Sequence, residues 1–145
     1  MRLKILDGYR PPSVQRELWK VKPDPRYVAH PDKGSRHNRG AAVDVTLVKA
    51  DGSEVPMPTA FDDFSEKAAA DYAKLPAEVI KNRKLLQDAM TKHGFTILKA
   101  EWWHFDDSDW KSFPIEEIDA SGKVETPGKD SVEGKVKAAP APEAE

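Results

Sequence analysis

Residues 35–48 read Ser-Arg-His-Asn-Arg-Gly-Ala-Ala-Val-Asp-Val-Thr-Leu-Val, and the second half of this stretch decides the fold. Val43, Val45 and Leu47 alternate with small or polar residues, which is the period of a strand that buries one of its faces. Asp44 then points to the other face. The sequence therefore predicts a strand whose apolar side joins a core and whose aspartate stays free for chemistry.

Outward from this strand, periodicity and breaking residues predict the other elements. The pattern predicts strands at 3–6 and 95–98, helices at 14–19 and 77–93, and a hairpin turn at Asp51-Gly52 that returns through 53–55. Ser13 is predicted to cap the first helix, and residues 62–65 could begin a further helix. Together these elements predict an α+β fold, with a small, mostly antiparallel sheet and helices packed on one side.

Composition narrows the class of protein. The 145 residues suit one domain, with 39% apolar and 33% charged side chains and a formal net charge of −2. No basic surface for nucleic acid or membranes is expected. Because the chain contains no cysteine, any metal site must use His, Asp and Glu. The first residues lack the apolar run of a signal peptide, which leaves cytoplasm and periplasm both open.

Beyond residue 118 the composition changes to Gly, Pro, Ala, Glu and Lys. Such a segment cannot bury enough apolar surface to offset the entropy of ordering its backbone. We therefore predict a domain over residues 1–118 and a disordered, charged tail over residues 119–145.

Four side chains stand out as candidates for metal chemistry. His37 and Asp44 lie in the first stretch, and Glu101 and His104 lie in a second one, Glu-Trp-Trp-His-Phe, at residues 101–105. Two histidines and one carboxylate can hold Zn²⁺ with a fourth position open to water. A second carboxylate beside such a site can act as a general base.

Spacing alone leaves this interpretation open. A single histidine in a small domain is more often a surface or packing residue than a ligand. Residues three apart on a regular strand face opposite sides, so Glu101 and His104 can share a site only across a bulge or if Glu101 precedes the strand. Trp102 and Trp103 are typical packing residues. Residues 106–109, Asp-Asp-Ser-Asp, are predicted to form a solvated turn and not a calcium loop.

The motifs in order resemble those of a known peptidase family. Residues 35–47 and 101–105 resemble the two metal motifs of the D-alanyl-D-alanine dipeptidases, the VanX-like branch of peptidase family M15, which is related to D-Ala-D-Ala carboxypeptidases and the hedgehog fold. Asp7-Gly8-Tyr9-Arg10-Pro11 is similar to the segment that carries the family's catalytic arginine. Shorter matches at 61–64, 82–86, 94–95 and 113–115 keep the family order, so that the resemblance covers about residues 3–118.

The resemblance implies a role for each candidate. His37, Asp44 and His104 would bind one Zn²⁺ per chain, Glu101 would accept the proton of the attacking water, and Arg10 would stabilise the oxyanion. The implied activity is zinc-dependent hydrolysis of the D-Ala-D-Ala dipeptide. Ser35 and Trp103 are further candidates for substrate contacts.

The chain also departs from the family pattern. Family members usually carry a substantial segment before the arginine motif, whereas this chain starts a few residues ahead of Arg10, and its charged tail is an addition. Two alternatives therefore stay open beside the dipeptidase. One is a D,D-carboxypeptidase or endopeptidase acting on longer peptidoglycan peptides, and the other is an inactive zinc-binding module. Only a small D-amino-acid dipeptide is expected as a partner, with neither nucleic acid nor membrane, and the oligomeric state stays open.

Overall fold

The computed structural model describes residues 1–119 and 121–125. Its strands are β1 (Arg2–Asp7), β2 (Ala42–Val48), β3 (Phe95–Ile97) and β4 (His104–Asp107). The helices are α1 (Pro12–Val21) and α2 (Ala77–Lys92), and short 3-10 helices occupy Arg36–Arg39, Glu66–Ala68 and Trp110–Ser112. The strands predicted at residues 3–6, 42–48 and 95–98 are thus present as β1, β2 and β3, and the long second helix is present as α2.

The strands form one open antiparallel sheet in the order β1-β2-β4-β3. In the register of the central pair, Asp44 lies opposite His104 and Val43 lies opposite Phe105. Opposite residues of an antiparallel pair share a face of the sheet. The predicted α+β fold with a small antiparallel sheet is therefore confirmed, and Asp44 and His104 share one side of it.

The core lies on the other face, between the sheet and α2. Val45, Leu47 and Phe105 of the sheet pack in one cluster with Leu86 and Met90 of the helix. Each of these side chains is at most 5% exposed, and burying one contributes about 1.5–3 kcal/mol. Both Trp102 and Trp103 belong to the same cluster, so that the connection into β4 is held firmly against the core.

The first helix begins differently from the prediction. Its N-cap is Pro11 and its first residue is Pro12, and no side chain caps it. Proline is well tolerated there because the first N–H groups of a helix have no partner inside it. The prediction that Ser13 caps the helix is wrong, because the Ser13 N–H and hydroxyl both donate to the carboxylate of Glu117, at 3.0 and 2.5 Å.

The possible helix from residue 62 onward is also wrong. Only the 3-10 turn Glu66–Ala68 forms there. The backbone is paired instead with the connection ahead of β4: Ala70 N–H donates to the carbonyl of Lys99, and Trp102 N–H donates to the carbonyl of Ala68, both at 2.9 Å. The segment is fixed by a distant part of the chain, which outweighs its local helical preference.

Two further predictions concern shorter features. Gly52 adopts φ +86° as the predicted turn requires, but the returning arm is a single bridge between Val48 and Glu54. Ile118 forms another bridge with Val124. The predicted disordered tail falls mainly on residues 120 and 126–145, which lie outside the described residues. Within the described ranges, neither helix has the length and apolar composition that a bilayer crossing requires.

Candidate metal centre

The three predicted ligands meet on the face of the sheet opposite the core. His37 comes from the 3-10 helix before β2, Asp44 from β2 and His104 from β4. His37 Nε2 and His104 Nδ1 are 3.2 Å apart. Asp44 Oδ1 lies 3.3 Å from His37 Nε2 and 3.1 Å from His104 Nδ1. All three residues are buried, with exposed fractions of 2–8%.

In each histidine ring, the nitrogen that faces away from the other ligands, here called the outer nitrogen, lies within hydrogen-bonding distance of an acceptor. His37 Nδ1 lies 2.7 Å from the carbonyl oxygen of Gly8, and His104 Nε2 lies 2.8 Å from Asp106 Oδ1. Each outer nitrogen therefore donates a hydrogen, and in a neutral imidazole the inner nitrogen then carries a lone pair. Two lone pairs and the carboxylate of Asp44 converge without a donor between them. A cation stabilises such a cluster, and it can be either a metal ion or a proton on one of the rings.

The spacing of the three atoms fits zinc. Ligands bound about 2.0–2.1 Å from a tetrahedral ion lie about 3.3 Å from one another, and the three observed separations are 3.1–3.3 Å. Two imidazole nitrogens and one carboxylate oxygen are also a donor set that zinc accepts. The residues present therefore fit a zinc ion with an open fourth position.

Without a metal, a proton has to serve as the cation. Burial lowers the pKa of His104, but the hydrogen bonds and charges of Asp106 and Asp44 outweigh it and raise the value to about 9. Burial raises the pKa of Asp44, and its bonds to His104 and His37 outweigh this, so that its pKa falls below the ordinary value. Binding of a metal must then displace a proton from this group.

The loop that carries His37 is built by its own residues. The hydroxyl of Ser35 accepts from His37 N–H at 3.2 Å, and Asn38 Oδ1 accepts from Ser35 N–H at 2.6 Å. Asn38 also donates through Nδ2 to the carbonyl of Arg10, at 2.8 Å. Gly40 closes the 3-10 helix with φ +62°, a conformation that glycine adopts without steric strain. These bonds fix the position of the His37 ring before β2 begins.

Glu101 lies next to the ligand group, in the connection that precedes β4. Its Oε2 is 3.8 Å from His104 Nδ1, and the residue is 8% exposed. Of the two arrangements that the sequence allowed, the structure has Glu101 ahead of the strand. Burial is the largest influence on its carboxyl and, with the charges of Asp44 and Asp62, outweighs the attraction of His104, so that its pKa rises from 4.5 to about 7.

Arg10 is held beside the same group by two side chains. Its Nε and Nη2 donate to Asp7 Oδ2 at 3.0 and 2.5 Å, and its Nη1 donates to Gln15 Oε1 at 3.0 Å. Gln15 is 1% exposed and donates in turn to the carbonyl of Ala29. The backbone N–H of Arg10 donates to the carbonyl of His37, at 3.0 Å. The guanidinium is therefore a fixed cation, as stabilising a developing negative charge requires.

A cavity of about 410 Å³ opens onto this group. Its lining includes His37, Asp44, Glu101 and His104, together with the other sequence candidates Arg10, Ser35 and Trp103. Asp62 also lines it, in the left-handed backbone region at φ +60°. A second cavity, of about 370 Å³, lies near Trp102, and among the described residues its one charged lining residue is Glu54. The chemistry therefore points to the first cavity.

Sequence reasoning missed several groups at this site. Asp106 belongs to the run predicted to be solvated, yet it is 1% exposed and bound to His104. The signal was its position two residues after His104, which puts both side chains on one face of β4. Asp7 and Asp62 stood within quoted motifs without a role. The carbonyl of Gly8 gave no signal, since any residue supplies a backbone oxygen.

Known proteins resemble this chain over much of its length. A family model for peptidase M15, described as D-ala-D-ala dipeptidase, matches residues 1–117. The D-alanyl-D-alanine dipeptidase of Escherichia coli (strain K12) is 39% identical over 115 residues, which cover 79% of this chain and 60% of that protein. That of Enterococcus faecium is 36% identical over 72 residues, covering 49% of this chain and 36% of the relative.

A third relative is the D-alanyl-D-alanine dipeptidase of Enterococcus faecalis (strain ATCC 700802 / V583). It is 28% identical over 122 residues, which cover 71% of this chain and 60% of that protein. The chain thus spans at most about 60% of the length of these curated relatives. On the extent of the family match, the chain belongs to the D-Ala-D-Ala dipeptidase family of M15 peptidases.

Proposed function

We propose that this protein is a zinc dipeptidase that hydrolyses D-Ala-D-Ala. In this proposal residues 1–118 form the catalytic domain, and residues 119–145 are a tail outside it. One zinc ion is held by His37, Asp44 and His104, and Glu101 and Arg10 carry the chemistry. The substrate class comes from the family, since the relatives are named D-alanyl-D-alanine dipeptidases.

The observation that carries the proposal is the convergence of three acceptors. His37 Nε2, His104 Nδ1 and Asp44 Oδ1 lie within 3.3 Å of one another, while both outer ring nitrogens are engaged elsewhere. Buried acceptors without a donor are costly, and a metal removes that cost. When bound, zinc supplies Lewis acidity: it lowers the pKa of a water towards about 7 and polarises the peptide carbonyl.

Glu101 moves the proton in this mechanism. Its carboxylate accepts a proton from the water whose oxygen attacks the scissile carbonyl carbon. The same group then gives that proton to the nitrogen of the leaving D-alanine as the C–N bond breaks. In the metal-free protein burial raises the pKa of this carboxyl to about 7. A cation bound beside it would lower that pKa again and favour the carboxylate form that accepts the proton.

Arg10 stabilises the negative charge that develops on the carbonyl oxygen. Asp7 and Gln15 occupy three of its donor positions, so that the guanidinium keeps one orientation throughout the reaction. A cation that is already in position needs no reorganisation when the charge forms. The bidentate geometry of arginine also suits this task better than the single ammonium group of lysine.

Three residues that line the cavity are suited to holding the substrate. The carboxylate of Asp62 is complementary in charge to the ammonium group of a free dipeptide. Burial raises the pKa of Asp62, and the charge of Arg10 acts in the opposite direction. Ser35 offers a hydroxyl beside His37, and Trp103 forms part of the cavity wall. An anion that binds the substrate's amino terminus would favour dipeptides over internal segments of a longer chain.

One observation favours a second candidate function. The cavity extends to Leu18 and Val21 of α1, and Val21 is 84% exposed at its rim. In the described part of the chain the cavity is therefore open on that side. A longer peptidoglycan peptide could enter there, which would suit a D,D-carboxypeptidase or endopeptidase.

The test combines metal analysis with hydrolysis assays on the full chain. The purified protein is expected to bind one zinc per chain and to hydrolyse D-Ala-D-Ala, with L-Ala-L-Ala as the stereochemical control and a stem pentapeptide as the longer substrate. The Glu101→Ala variant should keep its zinc and lose hydrolysis. Glu78→Gln, at an exposed position of α2, is the matched surface control and should behave as wild type.

The outcomes separate the candidates. Cleavage of the pentapeptide alone would replace the dipeptidase by a carboxypeptidase or endopeptidase. Zinc binding without turnover of either peptide would identify an inactive binding module. Full hydrolysis by a protein without metal, or by Glu101→Ala, would contradict the roles proposed for these residues.

A further inference from the structure

A side chain that the mechanism above does not use contacts His104 on the side of the ring that faces away from the other ligands. Asp106 is two residues further along β4, on the same face of the sheet as His104. Its Oδ1 lies 2.8 Å from His104 Nε2, the ring nitrogen that faces away from Asp44 and His37. Asp106 is 1% exposed, so water does not compete for this hydrogen bond.

The second oxygen of Asp106 has a cationic partner. Arg36 Nη1 donates to Asp106 Oδ2, and the guanidinium of Arg36 lies over the ring of Trp110, 4.2 Å from its centroid. Stacking on an aromatic ring fixes the plane of a guanidinium. Trp110, Arg36, Asp106 and His104 therefore form one chain of contacts that ends at the ligand group.

The two histidines are held in different ways. His37 donates through Nδ1 to a backbone carbonyl, that of Gly8, and turns Nε2 inward. His104 donates through Nε2 to Asp106 and turns Nδ1 inward. A substitution cannot remove the backbone oxygen of Gly8, whereas the orientation of His104 depends on a side chain. Only the second arrangement can be tested cleanly by mutation.

We propose that Asp106 is a positioning residue that keeps His104 in the tautomer with hydrogen on Nε2 and a lone pair on Nδ1, and that Arg36, stacked on Trp110, holds Asp106 for that task. The inference rests on the proposed function where it concerns zinc. Its claim about the tautomer concerns the protein itself. Hydrogen-bonded partners of metal-binding histidines typically change metal affinity or activity 10–100-fold when they are mutated.

Asp106→Asn makes the sharpest variant. An asparagine in this position would turn its oxygen to Arg36, since two donors cannot face each other, and its NH₂ group would then donate to His104 Nε2. That arrangement moves the ring hydrogen to Nδ1, into the ligand group, and removes the lone pair that a metal needs. Asp107→Asn, the same change one residue along the strand, is the matched control.

Two measurements test the proposal on the full chain. The first is the zinc dissociation constant, obtained by competition with a chromogenic chelator. We expect Asp106→Asn to weaken zinc binding about 10–100-fold, Arg36→Ala to weaken it less, and Asp107→Asn to leave it unchanged. The second is the ¹⁵N spectrum of the imidazoles in metal-free protein, at a pH where His104 is neutral. It should show hydrogen on Nε2 in wild type and on Nδ1 in Asp106→Asn.

Wild-type zinc affinity in a folded Asp106→Asn variant, or an unchanged His104 tautomer, would overturn the proposal. If Asp106→Asn does not fold, Arg36→Ala decides, because the Arg36 side chain is 39% exposed and its removal spares the core: unchanged zinc affinity there refutes the chain of contacts. If wild type binds no zinc, the proposed function fails, and the tautomer measurement still tests Asp106.

Discussion

Replacing Glu101 by glutamine removes a carboxylate that burial disfavours and keeps the shape of the side chain. In the metal-free protein the pKa of Glu101 rises from 4.5 to about 7, with burial as the largest cause. The folded state therefore binds this proton more tightly than the unfolded state does. Stability that is fully present below about pH 4.5 is lost as the pH rises through about 7.

The magnitude follows from the change in pKa. At about 1.4 kcal/mol for each pKa unit, the rise from 4.5 to about 7 corresponds to about 3 kcal/mol once the pH exceeds the folded value. Glutamine is neutral at every pH and does not incur this cost. The metal-free Glu101→Gln variant should thus be as stable as wild type at about pH 4 and about 3 kcal/mol more stable at about pH 8.

Urea denaturation in the presence of a chelator measures this difference. The chelator is needed because a bound metal stabilises the folded state and would mask the effect. Glu78→Gln, at an exposed site, is the control and should show no such rise with pH. A difference that stays constant between pH 4 and pH 8, or a wild type that is the more stable at pH 8, would refute the view that Glu101 sits in a desolvating site.

Three further predictions concern other parts of the molecule. Arg10→Ala should lower kcat about 10²–10³-fold, the usual loss for one oxyanion donor, with unchanged zinc content by metal analysis. Because the pKa of His104 is raised to about 9, zinc binding near neutral pH should release about one proton from His104; calorimetry in two buffers with different ionisation enthalpies measures the release. Gly34→Ala should lower the free energy of unfolding by about 1–3 kcal/mol, because φ is +70° and the new Cβ meets Ile115 Cδ1. Urea denaturation measures this loss. Adding Ile115→Ala to the same chain should restore only the part of the loss that comes from the clash with Ile115, and not the part that comes from the positive φ.

Local pattern was a good guide wherever one periodic feature dominated. The alternation of Val43, Val45 and Leu47 predicted β2 and the outward direction of Asp44, and both agree with the structure. The apolar spacing before Gly94 predicted α2, and Gly94 has φ +88° where the helix ends. Such patterns succeed because the burial of one face is enough to select the element.

Pattern failed where distant segments supplied the hydrogen bonds. The chain around Ala68 was compatible with a helix, but it bonds to the connection before β4. Ser13 had the side chain of a helix cap, but Glu117, more than a hundred residues away, takes both of its donors. Asp106 read as part of a solvated run, but strand pairing buries it.

For the candidate site, the sequence by itself determined which chemical groups are available: two imidazoles, their carboxylate neighbours and a cation, on a strand whose period turns Asp44 away from the core. Only the tertiary structure decided which ring nitrogens face inward, that Glu101 precedes β4, and that Asp106 contacts His104. The reason is physical. Side-chain period fixes the face of a strand, whereas ring orientation and the loss of solvent depend on partners that only the folded chain brings within hydrogen-bonding distance.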